Sequence, residues 1–250
     1  MKAIIPAAGY GTRLRPLTYY IPKALIDVAR KPVIEHILDK IEELGCVDSV
    51  YIISNNYYYD SFEKWLKGIS TCSTYKFEIE IINDGTNNEQ ERLGAIGDKM
   101  LAIKQKGLEG ELLDISSDNI FDFSLLPIYK LYKEKKRCVL GAYDVGSIEL
   151  AKKYGVLAVD KNWKIIDFQE KPPEPKSTLA STGIYFYTKK VVKLFEEYAN
   201  AGHGLDAAGT FIQWLHKKED TYAYSCKGKW FDIGSMESLE MARKEIKCAP

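Results

Sequence analysis

The sequence carries no surplus of charge: 35 lysines and arginines meet 35 aspartates and glutamates, for a formal net charge of zero. That balance disfavours a nucleic-acid polymer as partner, because no bulk positive potential draws one in. An anionic ligand must instead be met by a local cluster of donors. Histidine is scarce, with only His36, His203 and His216. The five cysteines, Cys46, Cys72, Cys138, Cys226 and Cys248, are odd in number, widely spaced and without a Cys-x-x-Cys pair. Neither a disulfide framework nor a Cys/His zinc site is expected. Long apolar runs are missing as well. No stretch approaches the roughly 18 apolar residues of a membrane helix. The apolar start that follows Lys2 stops at Gly9, with Arg13 and Arg15 close behind, too short for the core of a secretory signal. A reducing, cytoplasmic protein without membrane contact is the expectation.

What the chain does have is 46% hydrophobic and 12% aromatic residues, which excludes disorder. Its 250 residues suit one large α/β domain or two small ones. Strand-like runs at 2–6, 50–54, 77–82, 111–116 and 137–143 alternate with helical periodicity at 33–44, 58–66, 93–105 and 125–135. This β-α-β-α order predicts a mainly parallel sheet with helices on both faces. From residue 154 the character changes. Runs at 154–159 and 163–169 flank Asp160-Lys161-Asn162, a hairpin turn, and strands at 182–188 and 222–226 follow, with helices between and after them. One α/β domain with an appended β-rich region is predicted.

The chemistry concentrates after the first strand, in Ala7-Ala8-Gly9-Tyr10-Gly11-Thr12-Arg13-Leu14-Arg15-Pro16-Leu17-Thr18. In such sheets ligands bind at the carboxyl ends of strands, and two glycines let backbone N–H groups approach an anion closely. Arg13 adds a planar donor suited to phosphate oxygens. Two common phosphate motifs do not fit. A dinucleotide fingerprint needs glycine where Leu14 stands, and a P-loop needs Gly-Lys-Ser/Thr, whereas Gly228-Lys229 runs into Trp230. Lys23, in Pro22-Lys23-Ala24-Leu25, lies close enough in sequence to offer its ammonium to a phosphoryl group. On its own such a lysine reads as solvated surface.

Together, Gly-x-Gly-Thr-Arg-Leu-x-Pro-Leu-Thr and Pro-Lys-Ala-Leu resemble the signature of the sugar-1-phosphate nucleotidylyltransferases, glucose-1-phosphate thymidylyltransferases among them. The resemblance runs over about residues 1–240 through Asp118-Asn119-Ile120-Phe121, Tyr154-Gly155-Val156, Glu170-Lys171-Pro172, Thr182-Gly183-Ile184-Tyr185 and Trp230-Phe231-Asp232-Ile233-Gly234. Singly these are weak; in this order they are specific. The resemblance implies a Rossmann-like, mostly parallel mixed sheet with a small β-rich sugar-binding region. It implies a single domain over 1–250, with a nucleotide-binding half to about 145 and a sugar-binding half from about 146. The implied reaction joins a sugar 1-phosphate to the α-phosphate of a nucleoside triphosphate, with dTTP and glucose 1-phosphate as the leading pair. Ala8, Gly9, Gly11, Thr12, Arg13, Asn83 and Gly94 would bind the nucleotide, and Arg13 and Lys23 would act in catalysis. Gly155, Glu170, Lys171, Thr182 and Gly183 would hold the sugar phosphate, and Asp118 and Asp232 would bind Mg²⁺. Read without the resemblance, those two aspartates suit an Asx-turn and a helix cap. Assembly as a homo-oligomer is compatible with the resemblance.

Three departures stand out. The family's base-reading segment contains Gln-Pro, whereas here Asn83–Arg92 is longer, polar and free of proline. Asn83 could offer an amide to a pyrimidine and Arg92 could reach a base or phosphate, or Asp84-Gly85 is simply a surface turn. Asp114-Ile-Ser-Ser-Asp118 lacks the glycine usual before the metal aspartate; Asp114 would share a strand face with Ser116 and Asp118 and could assist the site, but a surface or capping role is the favoured reading. Tyr57-Tyr58-Tyr59 fits packing or exposure, with no functional role. The length leaves no room for the β-helical acyltransferase domain of bifunctional relatives. Two other classes compete: a cytidylyltransferase acting on a non-sugar phosphate such as phosphocholine, and a non-catalytic regulatory subunit that binds a nucleotide sugar. Retention of Arg13, Lys23, Asp118 and Asp232 weighs against the second, and the sugar motifs weigh against the first.

Overall fold

A computed structural model describes residues 1–71 and 75–247, so that Cys72 and Cys248 lie outside the described residues. The chain begins with β1 (Lys2–Pro6), β2 (Asp27–Val28), β3 (Lys31–Pro32), α1 (Val33–Glu42), β4 (Ser49–Ser54), α2 (Tyr59–Ile69) and β5 (Glu78–Asn83). It continues through α3 (Gly94–Lys106), β6 (Leu112–Ile115), β7 (Asn119–Phe121), α4 (Leu126–Lys135), β8 (Cys138–Asp144), α5 (Ile148–Ala151) and β9 (Gly155–Val159). The last elements are β10 (Ile165–Glu170), β11 (Leu179–Tyr187), α6 (Lys189–Asn200), α7 (Ala208–Leu215), β12 (Thr221–Ser225), β13 (Trp230–Asp232) and α8 (Met236–Glu245). They form two compact units. The first takes the described residues within 1–93, 115–124 and 228–250, and the second those within 94–114 and 125–227.

In the first unit β4 lies between β1 and β5, all parallel, with Ile52 paired to Ile5 on one side and Ile81 on the other. Ile4, Ile5, Val50, Ile52 and Ile53 are fully buried, which is why these strands read as unbroken apolar runs. α1 turns Val33, Ile34, Ile37, Leu38 and Ile41 inward at helical spacing. The antiparallel pair β7–β13 sets Asp232 opposite Asn119. Leu14, Ile26, Ile120, Ile233 and Leu239 pack into one buried cluster, tying the first loop to the last helix. That helix starts at Ser235 through a capping box with Ser238.

In the second unit β8 runs antiparallel to β11 and parallel to β12, and β9–β10 form an antiparallel hairpin around the turn at 160–162. The pairing of β11 with β8 shifts register between Ser181 and Tyr185, a bulge centred on Gly183 at φ +73°. α6 and α7 pack through stacked Phe195 and Phe211, 4.1 Å between ring centres. Parallel and antiparallel strands with interleaved helices make this a mixed α/β fold.

One expectation is overturned here. Asp114 is neither a surface nor a capping residue: it is 1% exposed in β6, where every residue is buried. The Lys99 ammonium, equally buried on α3, meets its Oδ2 at 2.6 Å. A carboxylate in such a place needs a paired cation, and α3 supplies it.

Candidate active site

The site in the first unit is built where β1 ends. Gly11 has φ +59°, and a β-carbon there would stand 2.8 Å from Thr18 Cγ2, so this position demands glycine on both counts. The turn that follows, Thr12–Leu14, projects Arg13 outward and Leu14 into the core. A second short turn, Lys23–Leu25, presents Lys23.

Lys23 Nζ donates to Asp118 Oδ2 at 2.5 Å, linking residues 95 apart in sequence. Asp118 follows β6 and precedes β7, and its carbonyl accepts from Ile233 N at 2.8 Å, next to Asp232 at the end of β13. The two aspartates therefore arrive together through the β7–β13 ladder. A β-carbon at Gly234 would lie 3.2 Å from Arg13 Nη2 and 3.3 Å from Asp232 Oδ1, so both groups face the same stretch of backbone. Burial alone would raise the Asp118 carboxyl; the Lys23 ammonium, helped by Arg13, outweighs it and holds the group below its ordinary value. Lys23, Asp118, Asp232 and Arg13 thus form one charged cluster beside the glycine loop.

Asn83 and Arg92 stand differently. Asn83 Nδ2 donates to Asn56 Oδ1 at 2.8 Å, and its Oδ1 accepts from Gly85 N at 2.8 Å, an Asx-turn. Arg92 is exposed, with Glu89 3.5 Å away. Gly94 lies in the second unit, at the start of α3, where a β-carbon would meet Leu205 O at 2.5 Å. The N–H groups of Ala95 and Ile96 are taken by the carbonyls of Asp206 and Leu205, both at 2.9 Å.

The remaining expected residues gather in the second unit. Glu170 ends β10, paired with Gly155 of β9. Burial pushes its carboxyl above the ordinary value, and Lys171 offsets part of the rise. Lys171 holds φ +44°, a left-handed strain uncommon for a side chain of this kind, and its Nζ lies 3.9 Å from Glu170 Oε1. The Thr182 hydroxyl donates to the Gly141 carbonyl at 3.0 Å and leads into the Gly183 bulge. Sequence reasoning missed Gly209. A β-carbon there would lie 1.7 Å from Glu170 Oε2, while the Gln213 side chain, one turn on, accepts from Glu170 N at 3.2 Å. The available signal was a glycine inside α7, where helix propensity argues against it.

Fold and site together define an α/β protein whose first strand opens into a glycine loop beside clustered lysine, arginine and aspartate side chains. The chain belongs to the nucleotidyl transferase family, whose pattern it matches over residues 2–248. It is 33% identical over 253 residues to the bifunctional protein GlmU of Methanocaldococcus jannaschii, covering 98% of this chain and 54% of that protein. It is 31% identical to a UTP–glucose-1-phosphate uridylyltransferase of Synechocystis sp., covering 98% of this chain and 63% of the relative. The chain thus spans a little over half the length of the curated relatives it matches. A crystal structure of a Bacillus anthracis protein described as a glucose-1-phosphate thymidylyltransferase, with sucrose bound, superposes with a TM-score of 0.83. It is 25% identical, with 100% of this chain and 98% of that one covered.

Proposed function

We propose that the protein is an enzyme that transfers a nucleotidyl group from a nucleoside triphosphate to a sugar 1-phosphate, giving a nucleotide sugar and pyrophosphate. The observation that carries the reading is the meeting of Lys23, Asp118, Asp232 and Arg13 beside the glycine loop. In this reaction an oxygen of the sugar phosphate bonds to the α-phosphorus while the bond to the pyrophosphate oxygen breaks on the opposite side. Attack by one anion on another makes charge neutralisation and alignment the main demands. Loop residues from Ala8 to Thr12 bind the triphosphate through backbone N–H groups, Arg13 neutralises the departing pyrophosphate, and Lys23 serves the α-phosphate. Glu170 accepts hydrogen bonds from sugar hydroxyls, Lys171 holds the sugar phosphate, and Gly155, Thr182 and Gly183 shape the pocket.

Asp118 and Asp232 suit Mg²⁺. A pair of hard carboxylate oxygens brought together beside the loop fits a cation that takes one or two carboxylates plus substrate phosphates. When bound, Mg²⁺ would neutralise phosphate charge and fix phosphate orientation. Lys23, whose ammonium lies on Asp118 Oδ2, is the chain's own cation for the α-phosphate. The chain works as one nucleotidyltransferase domain, with residues before about 145 serving mainly the nucleotide and those after it mainly the sugar. Asn83 and Gly94 belong to the nucleotide's surroundings, and dTTP with glucose 1-phosphate is the first pair to try. Soluble phosphates as substrates suit a cytoplasmic setting, and no helix among the described residues is long and apolar enough to cross a membrane.

Lys23→Ala, Asp118→Ala and Asp232→Ala should each lower kcat by about a hundredfold or more, the usual loss when transition-state charge stabilisation goes. Steady-state pyrophosphate release on folded variants checks this. Near-wild-type turnover in both aspartate variants would remove the metal assignment.

A further inference from the structure

The glycine loop after β1 is held from behind by Asn55 and Tyr58, which lie outside the family-like motifs, and by Thr18 at the end of the loop's own motif. Asn55, directly after β4 and fully buried, donates through Nδ2 to the Ala8 carbonyl at 2.7 Å. Its Oδ1 accepts from Tyr58 N at 2.9 Å. The Tyr58 hydroxyl, 2% exposed with its residue, sits between the carbonyls of Tyr10, at 3.3 Å, and Thr18, and gives its proton to that pair. The Thr18 hydroxyl donates to the Gly11 carbonyl at 2.8 Å. Burial pushes the Tyr58 phenol up to about 12, so it remains a donor throughout the neutral range.

These donors have a geometric consequence. In a planar trans peptide the carbonyl of one residue and the N–H of the next point in opposite directions, and the only cis peptide among the described residues is Arg15–Pro16. Holding the carbonyls of Ala8, Tyr10 and Gly11 inward therefore turns the N–H groups of Gly9, Gly11 and Thr12 the other way. Among the described residues no acceptor takes any of those three N–H groups. The space around Gly9 is open, with nothing within 4 Å of where its β-carbon would be. Three unspent amides turned away from a fixed set of carbonyls suit the oxygens of an anion.

We infer that Asn55 and Tyr58 are positioning residues for the triphosphate, fixing the loop's carbonyls behind it so that its amides are set in advance for phosphate oxygens. This inference rests on the proposed triphosphate role of the loop. Neither side chain touches substrate in it; they act through the backbone. A preset nest saves the ordering that a floppy loop would have to undergo on binding, which is the general gain from preorganisation.

The test is calorimetry with MgATP, MgdTTP and inorganic tripolyphosphate, alongside KM for the sugar 1-phosphate, at a temperature well below every variant's unfolding midpoint. Tyr58→Phe keeps the ring and removes the one donor. It should weaken nucleoside triphosphate and tripolyphosphate by a similar factor, about tenfold or more, as loss of well-aimed charge-assisted bonds typically does. The sugar 1-phosphate KM should stay within about twofold, because its groups are not reached by these amides. Should Tyr58→Phe fail to fold, Thr18→Val, which spares the Tyr58 ring, is expected to give the same split. Triphosphate affinity unchanged in a folded variant, or equal losses for both substrates, would overturn the inference. A wild-type protein that binds none of the three, nor CTP, GTP or UTP, would overturn the proposed function itself, and the two failures are thereby distinguished.

Discussion

At Gly209 the packing makes a prediction that separates fold from function. The Glu170 carboxylate fills the space where a side chain would begin, with Oε2 1.7 Å from that point. Gly155 bounds the same oxygen at 2.9 Å from its own absent β-carbon, so the carboxylate lies between two glycines. Gly209→Ala can be accommodated because the obstacle is the far end of a flexible side chain, and alanine is the better helix former by about 0.5–1 kcal/mol. The variant should therefore keep its unfolding midpoint while Glu170 is driven out of place. A sugar 1-phosphate KM raised by about tenfold or more, with the triphosphate KM unchanged, is the expected pattern for loss of a hydrogen-bonded substrate contact. Steady-state kinetics with each substrate varied in turn checks it. An unchanged acceptor KM would remove Glu170 from the sugar site.

At the scale of elements, the buried pair between α3 and β6 gives a second prediction. Lys99 and Asp114 are each 1% exposed, and the Tyr187 hydroxyl reaches Asp114 Oδ2 at 3.4 Å. Removing one partner leaves a buried charge uncompensated, so Lys99→Met should cost about 3–5 kcal/mol in urea unfolding. Lys99→Met with Asp114→Leu should regain a large part of that loss, since an apolar pair of similar volume is often neutral. A single variant as stable as wild type would show that the pair constrains nothing. Most long elements were legible from periodicity: α1 and β1 follow directly from runs such as Val33–Ile41 and Ala3–Ile5, whose apolar spacing records burial. The short ladders β2–β3 and β7–β13 were not, because two or three residues carry no period and their pairing is a long-range fact. Of the site, Arg13, Lys23, Asp118 and Asp232 were visible through family-like motifs. Asn55, Tyr58 and Gly209 were not, because their contributions lie in bonds and clearances to residues far away in sequence. Asp114 shows the same limit in reverse: a lone aspartate before a serine pair reads as surface until the lysine opposite it is known.

For the whole molecule, zero net charge and a family match over nearly the full chain point to one conclusion. Under the proposed function, recognition of anions is local: it would rest on the Gly9–Arg13 loop, Lys23 and Lys171 rather than on a charged face. The groups proposed for the nucleotide's phosphates lie in the first unit and those proposed for the sugar in the second. The polar 83–92 segment, with its Asn83–Asn56 amide pair, leaves the choice of base to experiment. The most direct measurement is pyrophosphate release with Mg²⁺, crossing ATP, CTP, GTP, UTP and dTTP against a panel of sugar 1-phosphates and phosphocholine. The account predicts strong release for at least one sugar 1-phosphate with one preferred nucleotide, and none with phosphocholine. Release with phosphocholine alone, or silence across the panel while triphosphate still binds, would contradict it.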